Sequence, residues 1–512
     1  MNFLNTTLRT LMSASRRYRA GWLGVCAVLF AATVGLPGCG GGGEDGSPAS
    51  GDSGEVVVSL TDAPGDFTTY TVDVVSVSLT KANGVVVETL PLATRVDFSQ
   101  YTDLSEFLTA ATVPSGIYVK GSVRLDYANA DIQVQDADGH AVKVNDIQDA
   151  NGDPIAMLEL SVRLEGRNQL PIVPGVPKHL TLDFDLESSN TVTFDDAGVP
   201  TVMVAPVLIA AVDPEQPKIH RVRGPLNVVA EDRSGFSVYI RPFRHYVHRL
   251  GAGFRHFGAL KVATNDQTVY EIDGVAYAGA AGLAALAAKA KFTAVIAVGD
   301  LEFHPRRFRA REVYAGSSVP GGDLDVVTGN VVARAGDALT VRGATLVRAD
   351  GVVVFNDNVT VNLADSTTVA RQLSMDPHQI DDISVGQRLT VFGSITNDMI
   401  SDLVLDASAG HARLLLTTLR AQRTVSADEP WFTVSLDSID GRPVSMFDFA
   451  GTGMDAASDA QAGVYEIDTG ALAVEAIAEQ APLAVRGFVM PFGSAPADFA
   501  AQTIVDRSAV VQ

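Results

Sequence analysis

From Glu55 onward the chain alternates apolar and polar residues with a period of two. The runs EVVVSLT, YTVDVVSVSLT and GIYVKGSVRLDY are rich in β-branched side chains. Side chains of a strand point alternately to opposite faces, so this period predicts half-buried strands and excludes a helical body. Asn83-Gly84 stands between two such runs, the strongest short hairpin signal. DLSEFLTA (residues 103–110) reads instead as a short helix, with Asp103 as N-cap and Glu106 at capping-box spacing. Roughly eight to ten short strands and one helix within residues 55–213 predict an antiparallel β-sandwich.

Four motifs in this segment carry a resemblance. VSLTDAPGDF (58–67), VPSGIYVKGSVRL (113–125), DFDLESS (183–189) and MVAPVLIA (203–210) occur in that order. The segment resembles the DUF4382 family, domains of bacterial lipoprotein type. The resemblance implies no known activity.

Beyond the Pro-rich linker DPEQPK (213–218) a pattern repeats at about a hundred residues, the mark of a modular array. HRVRGPLNVVAEDRSGFSVYI opens one copy (218–316) and DVVTGNVVARAGDALTVRG the next (324–408). DQTVYEI and NLADSTTVAR continue them, and a degenerate third copy fills 411–512, where LAVRGFVM matches LTVFGSI. These copies look like DUF5666 domains, which implies five-stranded OB-like barrels. The Ala-rich stretch 280–292 reads as a helix placed to plug one barrel end. The fold class expected is therefore all-β: an antiparallel sandwich followed by two or three OB-like barrels.

The first 38 residues hold four arginines (Arg9, Arg16, Arg17, Arg19) and no acid, then the apolar run GWLGVCAVLFAATV. About 20 apolar residues are needed to cross a bilayer, so residues 1–38 read as a signal peptide. Leu36-Pro37-Gly38-Cys39 resembles the lipobox of bacterial lipoproteins, which implies that Cys39 becomes an acylated N-terminus, palmitate among its acyl chains. Residues 39–54 then form the anchor and a Gly/Ser-rich tether. Gly40 rather than Asp follows the cysteine, which by resemblance to Gram-negative sorting implies the outer membrane. Which side of that membrane the domains face stays open.

The chain carries 38 basic and 60 acidic side chains. Removing the four leader arginines leaves 34 bases against the same 60 acids, a net of −26. Such a surface repels phosphate backbones, so nucleic acid is a disfavoured partner. Cys26 and Cys39 are the only cysteines, so disulfides do not stabilise the body.

Two sets of residues are candidate sites. Asp62 and Asp66, and Asp149, Asn151 and Asp153 in DANGD, supply closely spaced oxygens of the kind calcium takes; Asp and Asn are equally turn formers. The run Arg241–Gly258 holds Arg241, Arg244, His245, His248, Arg249, Arg255 and His256, and HPRRFRAR adds Arg306, Arg307 and Arg309. It reads as a solvated hairpin arm, a metal site through its imidazoles, or a patch for anions or acidic partners. There is no G-x-S-x-G, H-E-x-x-H, P-loop or dinucleotide fingerprint. The expectation is a non-enzymatic binding module of the cell envelope, taking a glycan, a protein or a cation. The alternatives are a structural or assembly component, and a hydrolase with dispersed carboxylates.

Overall fold

The computed structural model describes residues 52–61, 67–101, 104–135, 141–213, 218–240, 257–303, 306–349, 353–399, 402–424 and 431–508. The described chain is dominated by strands, so the all-β expectation holds. Two sheets face each other in the N-terminal sandwich. One has the spatial order Leu208–Val212, Lys178–Phe184, Ser53–Thr61, Leu104–Pro114. The other runs Leu170–Ile172, Gly116–Gln135, Phe67–Lys81, Val86–Glu88, with Thr94–Asp97, Ala141–Lys143 and Met157–Arg163 paired onto its long strands. Val58, Leu60, Val72, Val77, Tyr118, Val123, Leu180 and Leu182 fill the core between them. The pairing is mixed rather than wholly antiparallel, since Ser53–Thr61 runs parallel to Lys178–Phe184.

The helix expected at 103–110 is not formed. Leu104–Pro114 is a strand, antiparallel to Ser53–Thr61 on one edge and parallel to Ile219–Val229 on the other. Ser105, Glu106, Phe107, Leu108 and Thr109 are all buried, side chains of both faces alike. A helix there would leave two strand edges unpaired, so tertiary pairing overrides the local capping signal.

Three five-stranded rings follow. In each, the first strand pairs with the second and fourth, the second with the third, and the fifth with the third and fourth. The first ring is Ile219–Val229, Gly235–Tyr239, Ala259–Ala263, Ala294–Phe303 and Arg306–Ala315. The second is Asp325–Ala335, Ala338–Val347, Val353–Asn362, Arg388–Asn397 and Leu403–Leu414. The third is Thr417–Arg423, Phe432–Ile439, Tyr465–Asp468, Pro482–Val489 and Phe499–Asp506. Closure leaves no free ring edge. The helix Gly279–Ala287 lies between the third and fourth strands of the first ring and buries Leu283 and Leu286. Strand Leu403–Leu414 runs through the boundary expected at 408–411. The junction falls at Leu415-Leu416, because the fifth strand must reach back along the fourth to close the ring.

One glycine marks the repeat in all three rings. A Cβ on Gly299 would stand 2.0 Å from the Arg309 carbonyl oxygen, on Gly393 2.3 Å from that of Asp406, and on Gly487 2.0 Å from that of Ala500. Each sits on the fourth strand where the register to the fifth slips. The bulge bends the strands around the barrel and brings backbone too close for any side chain. Gly393→Ala is expected to cost about 1–3 kcal/mol by forced overpacking. Chemical denaturation would read this, and an unchanged midpoint would refute the close approach.

Candidate functional site

The densest buried polar group lies where the first and second barrels meet. Glu271 comes from the short strand Val269–Ile272, which pairs alongside the fifth strand of the first ring. Glu312 and Tyr314 come from that fifth strand, and His411 and Arg413 from the fifth strand of the second ring. Arg413 Nε donates to Glu271 Oε2 at 2.6 Å and Nη2 to Oε1 at 2.8 Å, and Nη2 also reaches the Ser318 carbonyl at 2.9 Å. The guanidinium lies 3.8 Å from the Tyr314 ring centroid and 5.3 Å from that of Phe392, on which His411 stacks at 4.2 Å.

Burial by itself would raise both carboxyls. At Glu271 the charge and hydrogen bonds of Arg413 outweigh burial and hold the group below its ordinary value. At Glu312 burial wins over the hydrogen bonds from Tyr314 and Gln372, so its pKa is raised. Burial pushes His411 down to about 4, which keeps it neutral near pH 7. Two neighbouring carboxyls whose pKa values are pushed in opposite directions are the arrangement of an acid–base pair. Here, however, both oxygens of Glu271 are engaged by Arg413, and the crevice beside them, lined by Tyr270, Glu312, Gln372 and Ser374, is only water-sized. The group is built to join two barrels.

A second buried set joins the sandwich to the first barrel. Glu106, fully buried, accepts at Oε2 from Arg223 Nη2 at 3.2 Å and from Arg221 Nε at 2.5 Å, and the Arg221 guanidinium stands 5.4 Å from the Tyr101 ring centroid. A third set faces a small cavity between the second and third barrels. Ser384 Oγ, Tyr465 Oη and Asp498 Oδ1 line it, all buried and without a hydrogen-bond partner within the described residues. Three such groups around a water-sized space suit a bridging water. Burial raises the Asp498 carboxyl to about 6 against one backbone hydrogen bond from Glu466.

Of the sequence candidates, Cys39, Asp62, Asp66, Arg241, Arg244, His245, His248, Arg249, Arg255 and His256 lie outside the described residues. In DANGD, Asp149 Oδ1 accepts from the backbone N–H of Asn151 at 2.8 Å and of Asp153 at 3.0 Å, while Asn151 Nδ2 donates to Oδ2 at 3.2 Å. These bonds pull the Asp149 pKa down, and they are those of a turn that caps its own backbone. Among the described residues no group of three or more His, Cys, Asp or Glu is placed to hold a metal ion. Arg307 and Arg309 do not stand free for an external anion. Both pair with Glu302 across the hairpin, Arg309 Nε at 2.7 Å, and Arg311 Nη2 pairs with Asp300 at 2.8 Å. Arg306 pairs through its backbone with Phe303.

Sequence reasoning missed Glu106, Glu271, Glu312, Arg413 and Asp498. Glu312 follows directly on Arg311 and carries no such mark, but Glu106, Glu271 and Arg413 are single charges inside the apolar strand runs LSEFL, VYEI and HARLL, and Asp498 stands alone at the head of one in ADFA. That isolation is the signal available, because a charge is buried only with a partner from elsewhere in the fold.

A family model described as a domain of unknown function, DUF4382, matches residues 53–198. The match covers the sandwich up to its last two strands, Pro200–Val204 and Leu208–Val212. No curated protein and no solved structure matches the chain.

Two outcomes follow from the buried groups. Arg413→Ala leaves Glu271 charged and unpaired, and is expected to cost about 3–5 kcal/mol; Arg413→Met with Glu271→Gln should recover much of it. A denaturant titration of the three proteins decides this, and equal midpoints for the single and double variants would refute it. Asp498 binds its proton more tightly folded, at about 6, than unfolded, at 3.8. The stability carried by that proton is whole below about pH 4 and is lost as pH rises through 6. Asp498→Asn should therefore raise stability at about pH 8 by on the order of 2–3 kcal/mol and flatten the loss between pH 4 and 6. Melting temperatures across that range measure it.

Proposed function

We propose that the chain is an outer-membrane lipoprotein, anchored through acylated Cys39 after removal of residues 1–38. In this reading its sandwich and three DUF5666-like OB barrels form a non-enzymatic binding module of the cell envelope. The observation that carries the reading is the use made of buried charge. Glu106, Glu271, Arg221, Arg223 and Arg413 join one module to the next, and none opens on a substrate-sized cleft among the described residues. A body of this kind holds surfaces in fixed relation, as display of a binding surface requires, and turnover does not need it. The common strand order and shared glycine of the rings support the repeat. Net charge supports a glycan, a cation or a protein as ligand in preference to nucleic acid.

The same interlocking favours a second reading, a structural or assembly component of the envelope. Location separates the two. Cleavage of the barrels by protease added to intact cells favours capture of an outside ligand. Protection until the outer membrane is opened favours the assembly role.

The anchor has its own test. Wild-type protein is expected to sediment with membranes and to incorporate labelled palmitate, and Cys39→Ser to do neither. A Cys39→Ser protein that still sediments would overturn the lipid anchor.

A further inference from the structure

At one end of the sandwich four strands of a single sheet finish side by side. Gly116 pairs with Ile172, Lys81 with Tyr118, and Thr80 with Val86. The Ala82 N–H donates to the Ile117 carbonyl at 2.9 Å, and the Lys81 N–H to that of Val85 at 2.8 Å. Strands lie about 4.8 Å apart, so this row is roughly 15 Å wide. Val85, Val86, Ile117, Val173 and Val176 lie along it, each keeping between 45% and 60% of its surface exposed. Scattered exposed valines are ordinary, whereas five at one sheet end form a patch.

The turns that make this end, residues 82–85, 115–117 and 173–176, contain no charged residue, on a chain of net charge −22. Lys81, next to them, donates its Nζ to the Ser115 carbonyl at 2.6 Å. The described chain also begins here. The Asp52 carbonyl accepts from Ser115 N–H at 2.7 Å, Ser53 pairs with Pro114, and a Cβ on Gly54 would stand 2.7 Å from Ile172 Cγ2. Thirteen residues, 40 to 52, lead from Cys39 to this end, a reach of at most about 45 Å. Contact with the first barrel runs along the neighbouring strand from Leu104 to Ala110 and leaves Pro114 clear.

We infer that this end of the sandwich is the bilayer-facing surface of the protein, seated on the phospholipid surface that holds the acylated Cys39. The inference rests on the lipoprotein reading above. Apolar side chains on uncharged turns enter the headgroup boundary, with Lys81 and Asp52 as the charges at their rim, while the acidic remainder is repelled by anionic lipid. The two effects orient the molecule the same way.

The test uses the full-length lipidated protein in vesicles of phosphatidylethanolamine and phosphatidylglycerol with brominated acyl chains. Acylation blocks Cys39, and Cys26 leaves with the leader, so a dye attaches only to an added cysteine. Val176→Cys reports the patch, and Met454→Cys, 70% exposed on the third barrel, is the control. Palmitate incorporation is measured on the same preparation. The expected result is severalfold stronger bromine quenching at 176 than at 454, abolished by adding Val86→Asp and Val173→Asp. Palmitate present with equal quenching at both positions would overturn this inference and leave the anchor standing. Absence of palmitate would overturn both.

Discussion

The architecture depends on buried guanidinium–carboxylate pairs at its joints. Arg413 on Glu271, and Arg221 with Arg223 on Glu106, are charges taken out of water at a cost of several kcal/mol each and offset only by close geometry. Such pairs add little net stability compared with an apolar contact. What they impose is an all-or-none joint. A barrel that rocks by an ångström or two unpairs a buried charge, so intermediate angles are costly and one relation between modules dominates. Tyr314 and Phe392 reinforce this at the second joint by enclosing the guanidinium.

Backbone pairing works in the same sense. Leu104–Pro114 would be an open edge of the sandwich, and Ile219–Val229 pairs onto it, so a sheet of the sandwich continues into the first barrel. Thr109 Oγ1 donates to the Phe257 carbonyl and Phe107 packs edge-on against Phe308, which extends the joint from backbone to core. At the second joint Gln372 and Ser318 bring polar groups of both barrels to the same buried charges.

The strands were legible because their two-residue period is local. The hairpin at Asn83-Gly84 and the helix Gly279–Ala287 were legible for the same reason. DLSEFLTA was misread because its outcome is set from a distance. Its caps were sound local chemistry, and two strand partners, one more than a hundred residues downstream, decided otherwise. The third barrel was faint in sequence because what the ring requires is sparse. A glycine such as Gly487 at the bulge and an alternating core suffice, and turns between strands are free to differ. The joint residues were invisible for a related reason: Glu271 and Arg413 lie on different modules, and no spacing rule connects them. Of the site candidates that are described, the acidic turn and the arginine hairpin satisfy themselves internally, which residue type alone does not reveal.

Orientation and rigidity bear on each other. On the anchored reading, acyl chains supply the affinity for the bilayer, at about 0.8 kcal/mol per buried methylene. Five half-exposed aliphatic side chains add at most about 4–8 kcal/mol by area, less than one long acyl chain supplies. Their contribution is therefore one of direction. A protein held by acyl chains and thirteen residues alone could present any face to the lipid, and the apolar turns of the sandwich end select one. Because the joints are all-or-none, that choice passes through Glu106 to the first barrel and through Arg413 to the second. A contact at Val85 and Val176 then sets where the surface of the distant barrels points, which loosely strung domains could not achieve.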